Sequence, residues 1–146
     1  MEDAGGQERA DEIRREFGDR VADIVLACSD AIPDGDGDKG PWKPRKLAYV
    51  ARIRARENED ALLVEACDKL ANLYDLVEDL EFDSADAFEK FNGGKEMTLE
   101  YYATLGEVLL PQVRVPALMA EYSRLLGRLQ NLANVDTIRI WTADET

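Results

Sequence analysis

Apolar residues recur at helical spacing along most of the chain, and that periodicity leaves room for little besides an all-α fold. Val21, Ile24, Val25 and Cys28 repeat at i, i+3, i+4 and i+7, which predicts a helix ending near Ser29. A shorter amphipathic run from about Gln7 to Phe17 precedes it and stops at Gly18. Pro41 and Pro44 suit the first turn of a third helix reaching about Arg56. Asn58 is a good N-cap, and Glu59 and Asp60 favour the positive first turn of a long central helix running to about Leu80. On a helical wheel its core face is expected to carry Leu63, Ala66, Cys67, Leu70, Leu73, Tyr74 and Val77.

A short helix is expected from Ala85 to Phe91, closed by Asn92-Gly93-Gly94, and another from Met97 to Leu110. Pro111 and Pro116 should bracket a connection. Pro116 then opens a last helix that buries Leu118, Tyr122, Leu125, Leu126, Leu129 and Leu132. Beyond Asn134 lies a tail, residues 135–146, with room for a short extended piece at Thr137–Trp141. The fold class that follows is an all-α helical bundle.

With 146 residues, one domain is expected, and 45% hydrophobic against 34% charged residues supply one core and a well-solvated surface. A formal net charge of −13 argues against a duplex nucleic acid or an anionic membrane as partner, since both require a positive footprint. No stretch reads as a membrane span, because Glu107, Arg114 and Glu121 interrupt the most apolar third. The first residues lack the basic and apolar parts of a secretory leader, and a cytoplasmic location is the expectation. Cys28 and Cys67 sit on apolar stripes and read as small core residues rather than a disulfide.

The chain contains no histidine, which excludes Ser-His-Asp and Cys-His catalysis and imidazole-based metal sites in this chain taken alone. Three other signals remain. Asp34-x-Asp36-x-Asp38 imitates the start of a calcium loop, but Lys39 stands where glycine is required and Arg45 where the bidentate glutamate belongs, so a flexible acidic loop is the reading. The segment from Lys39 to Arg56 holds Lys39, Lys43, Arg45, Lys46, Arg52, Arg54 and Arg56 without one acidic residue. Arg45, Tyr49, Arg52 and Arg56 fall on one helical stripe, a candidate site for an anion, of which phosphate is the natural case. Surface ion pairs with acidic neighbours are the plainer alternative, and spacing alone leans that way. Lastly, Asp68 and Asn72 lie one turn apart on the polar side of the central helix; spacing makes this a solvated face.

Taken together, Glu2-Asp3, Phe17-Gly18, Pro41-Trp42-Lys43-Pro44-Arg45-Lys46, Ala66-Cys67-Asp68-Lys69-Leu70-Ala71-Asn72, Phe91-Asn92-Gly93-Gly94 and Tyr101-Tyr102 form an ordered series. It resembles the HD-domain phosphohydrolases, and within them the guanosine polyphosphate pyrophosphohydrolase type. The likeness covers roughly residues 1 to 110 and implies a bundle like the C-terminal part of an HD domain, over residues 1–134, followed by the tail. It implies that Glu2 and Asp3 help place the attacking water, that Asp68 is a metal ligand, and that Lys43, Arg45, Lys46 and Asn72 face substrate. The cofactor it implies is Mn²⁺ or another divalent ion.

The histidines that complete the family's metal cage have no counterpart here, so weak metal binding and little or no hydrolysis are expected. The chain starts at a Met where family members often carry valine just before the Glu-Asp pair. A GTG codon read as a start inside a longer gene is one explanation, and a genuine remnant kept for nucleotide binding or subunit contact is the other. Lost helices would leave an apolar face uncovered, so a homo-oligomer is expected.

Overall fold

The computed structural model describes residues 6–29, 41–83 and 94–146. Six helices are formed among them: α1 (Gly6–Phe17), α2 (Asp19–Ser29), α3 (Trp42–Ala55), α4 (Glu59–Asp83), α5 (Gly94–Val113) and α6 (Pro116–Ala133), with no strand. None of these helices is long and apolar enough to cross a membrane. The acidic loop at 34–38, Lys39, the helix expected at 85–91 and the Glu2-Asp3 pair lie outside the described residues.

The boundaries follow from local chemistry. Gly18, at φ +88°, takes a conformation that side chains disfavour, and this allows the sharp turn between α1 and α2. Asn58 caps α4, its Oδ1 accepting from the Ala61 amide at 3.0 Å. Asn134 ends α6 in the left-handed conformation, its N–H returned to the carbonyls of Gln130 and Asn131. Pro111 was expected to end the fifth helix, yet α5 runs through it to Val113. Proline there removes the N–H that would meet the Glu107 carbonyl and crowds that carbonyl, and it is tolerated within the last turn of the helix, beside the exposed Glu107. The chain turns instead at Arg114, whose N–H reaches Leu110 O at 3.1 Å.

α4, α5 and α6 pack on one another around the core; α3 packs on α5, α2 on α4, and α1 on α2. Ile53, Leu73, Leu99, Leu105, Leu109, Leu125 and Leu129 are fully buried at the centre. At one point α5 and α6 approach so closely that a Cβ on Gly106 would stand 2.9 Å from the Tyr122 ring. That ring is pinned because its hydroxyl donates to the Tyr102 carbonyl at 2.6 Å.

The core face of α4 differs from the expected one. Ala61, Leu62, Glu65, Ala66, Leu73, Leu76, Val77 and Leu80 are buried, whereas Leu63, Cys67 and Tyr74 are exposed. A wheel that treats Glu65 as solvent-facing turns the helix too far. Its burial depends on partners contributed by α3, which a reading of α4 alone does not contain. The same rotation places Cys67 on the exposed side rather than in the core; Cys28 of α2 is half-buried, and both cysteines are free. The tail forms no strand, but it carries one of the largest fully buried side chains of the protein, Trp141.

Candidate functional site

α3 opens with Trp42, whose ring meets Tyr101 of α5 edge-on at 6.0 Å and Trp141 of the tail at 6.4 Å. Tyr49, two turns on, meets Tyr101 at 6.5 Å, and Tyr101 meets Tyr102 at 5.3 Å. This aromatic floor fixes the azimuth of α3 and decides where its cations stand. Lys46 Nζ lies 4.7 Å from the Tyr101 ring centre and 6.0 Å from that of Trp42. Arg52 covers the Tyr49 ring at 5.4 Å, and Lys69 of α4 approaches the same ring at 4.9 Å. Contacts of this kind attract a cation to the ring face without neutralising it.

The basic segment is therefore sorted into groups that its spacing did not separate. Arg56 forms an ion pair with Glu65 (Nη1 to Oε1, 2.9 Å), with the two side chains only 10% and 7% exposed. The Tyr49 hydroxyl donates to the other carboxylate oxygen. Burial, and then that hydrogen bond, push the Tyr49 phenol far above its ordinary range, so it stays a donor. Arg54 donates to Thr146 Oγ1 at 3.1 Å. Lys43 turns toward the tail, over the Trp141 ring at 5.8 Å. The ion-pair alternative thus holds for Arg56.

Arg45 and Lys46 behave differently. Neither has an acidic partner among the described residues, and the Arg45 Nε is buried without a hydrogen bond. The Lys46 ammonium is held below its ordinary pKa, first by burial, then by the charges of Lys69 and Arg45. Lys46 on the Tyr101 ring and Lys69 on the adjoining Tyr49 ring thus bring cations of two helices to one aromatic surface, with Arg45 next to Lys46 in the chain. Such a grouping attracts an anion with several acceptor oxygens.

Asp68 and Asn72 sit beside it, on the exposed side of α4. Lys69 Nζ donates to Asp68 Oδ2 at 2.8 Å, and Asn72 Nδ2 reaches the same oxygen at 3.4 Å. Tyr102 lies near enough that Asp68, after burial, helps push its phenol up to about 12. Among the described residues no three His, Cys, Asp or Glu side chains converge. The Asp68 carboxylate is the acid beside these cations and is engaged by the Lys69 ammonium.

Of the expected site residues, Arg45, Lys46, Asp68 and Asn72 fall in one region, Lys43 stands apart by the tail, and Glu2 and Asp3 are outside the described residues. Sequence reasoning gave Lys69 no role. Its signal was available, for it is the one basic residue in α4, a helix with nine acidic ones. No protein-family model matches this chain, and no curated protein matches it.

Proposed function

We propose that the chain is a helical domain of the HD phosphohydrolase-like kind that binds the phosphate groups of a nucleotide and does not hydrolyse them on its own. The observation that carries this reading is the pair Arg45 and Lys46, the first with its Nε buried without a hydrogen bond and the second over the Tyr101 ring, both lacking any acidic partner among the described residues. A surface basic helix in a chain of charge −13 has acids in plentiful supply, and an unpaired, part-buried pair of cations is costly unless an anion arrives. Hydrolysis in this family would draw on a metal ion, which activates water and polarises the phosphoryl group. With no histidine, and with Asp68 held by Lys69, the chain supports binding better than turnover. A cytoplasmic location, where nucleotides are plentiful, belongs to the same reading.

The test is thermal unfolding with pyrophosphate and with guanosine tetraphosphate, alongside phosphate release in the presence of manganese. Ligand at about 100 times its Kd should add about 2.7 kcal/mol of stability, and Arg45→Met with Lys46→Met should abolish that gain. Manganese-dependent release that disappears in Asp68→Ala would replace the binding reading with an enzymatic one. Absence of stabilisation by either compound would end both.

A second copy of this chain is the further partner proposed, on the strength of Leu63, Val64, Tyr74 and Phe82, which are exposed along α4. Two bodies of the same large negative charge repel, so association should strengthen as salt screens them. Light scattering across a salt series is expected to show the dimer fraction rising, and Leu63→Glu with Tyr74→Glu to remove it; a monomer under every condition would refute the idea.

A further inference from the structure

We propose that Lys69 is a third phosphate-binding cation, held by Asp68 until a doubly charged terminal phosphoryl group takes its place, so that the ligand bridges α3 and α4. The inference rests on the phosphate-binding reading above and goes beyond it in naming the residue that selects the ligand's charge.

Consecutive residues on a helix project about 100° apart and do not normally face each other. Lys69 nevertheless bends back to reach Asp68 at 2.8 Å, while its Nζ stands 4.9 Å from the Tyr49 ring centre. The Lys69 side chain is 15% exposed and that of Asp68 55%, so the ammonium points out of a partly closed place toward a carboxylate that water largely surrounds. An ion pair exposed on one side is weak and readily exchanged. Lys46 Nζ stands 4.7 Å from the Tyr101 ring centre and Lys69 Nζ 4.9 Å from that of Tyr49, and these two rings meet at 6.5 Å, so the two ammonium groups share one aromatic surface across the helix boundary. Three positive charges then face one carboxylate. The site is short of negative charge by two, which a phosphoryl dianion supplies.

The donor geometry agrees. A terminal phosphoryl group has three oxygens, and Arg45 offers a planar fork while Lys46 and Lys69 each offer a point charge. When Lys69 transfers to the phosphate, Asp68 loses its cation and keeps only the Asn72 amide. It then stands as a like charge beside the ligand. That repulsion must be outweighed by the ligand's own charge, so Asp68 discriminates against singly charged anions rather than assisting binding. Asn72 accordingly holds Asp68, not substrate.

The experiment is calorimetric titration of the full chain with pyrophosphate in EDTA, for the unmodified protein, Lys69→Met and Asp68→Asn, with chloride and nitrate competition in each. Methionine keeps an unbranched apolar side chain without the charge, and circular dichroism checks that both variants fold alike. Lys69→Met is expected to weaken pyrophosphate about tenfold. Asp68→Asn should do the opposite, tightening binding several-fold by releasing Lys69 and removing the like charge, and should make nitrate a better competitor. A purely structural Asp68 would give no tightening. Pyrophosphate binding that depends on Arg45 and Lys46 but is unchanged in Lys69→Met, or is weakened in Asp68→Asn, overturns this inference and leaves the phosphate-binding reading intact. Failure of the unmodified protein to bind pyrophosphate overturns both.

Discussion

Alanine at Trp141 is expected to cost about 3–5 kcal/mol of stability, a large part of what a domain of this size possesses. The residue belongs to a segment without regular structure, yet its side chain is 1% exposed. It closes the aromatic floor from outside, 6.0 Å from Tyr101 and 6.4 Å from Trp42. Its indole N–H donates to Glu100 at 2.7 Å, and its backbone N–H to Thr104 Oγ1 at 3.0 Å. Truncation to alanine keeps the second bond and loses the first, and it leaves an indole-sized void among rings that α3 depends on for its position. The cost is measurable as a fall in the urea midpoint at constant slope. Trp141→Phe should recover more than half of it, since most of the loss is packing. Removal of residues 135–146 should be at least as damaging; a truncated protein with an unchanged midpoint would mean that the tail is an appendage.

That a tail residue is so deeply placed was not legible in the sequence. Most described helices were, because many of their boundaries have a local cause: a glycine with positive φ between α1 and α2, the Asn58 cap, the prolines opening α3 and α6, and Asn134 beyond α6. Such causes act within one turn of chain and need no knowledge of the fold. Trp141 has no such neighbourhood. A single tryptophan between Ile140 and Thr142 acquires its role only when α3 and α5 present Trp42, Tyr101 and Glu100 to it. The wheel of α4 failed for a related reason, since Glu65 reads as a solvent residue until Arg56 and Tyr49 are brought against it.

The candidate site shows the same division. That Lys43, Arg45, Lys46, Arg52, Arg54 and Arg56 are numerous and free of local acids is visible in the sequence. Which of them keep their charge available is decided by partners on other elements: Glu65 and Thr146 take Arg56 and Arg54, and Trp141 draws Lys43 aside. Arg45 and Lys46 remain. Lys69 joins them because α4 is rotated to bury Glu65, which carries the residue one turn on toward α3. The correction of the core face and the appearance of the third cation are therefore one event, seen from two sides of the same helix.

Removing Arg56 alone should be far more damaging than removing the ion pair as a whole. Arg56→Met leaves the Glu65 carboxylate, 7% exposed, with the Tyr49 hydroxyl as its remaining donor. An unpaired charge in such a place costs about 3–5 kcal/mol, because desolvation is no longer offset by the cation. Arg56→Met combined with Glu65→Leu removes both charges and fills the space with apolar atoms. The double variant is expected to regain most of the loss, which a pairwise cycle reads as a coupling of several kcal/mol. Tyr49→Phe provides the scale for the smaller hydrogen bond, at about 1–3 kcal/mol since the acceptor is charged and buried. All three are followed by chemical unfolding, and the ranking separates two views of α3. If Arg56→Met costs no more than Tyr49→Phe, the pair is an ordinary surface contact and α3 is held by its rings alone. If the predicted ranking is found, the buried carboxylate of α4 is what fixes α3 along its length, and with it the separation of Arg45 and Lys46 from Lys69 on which phosphate binding depends.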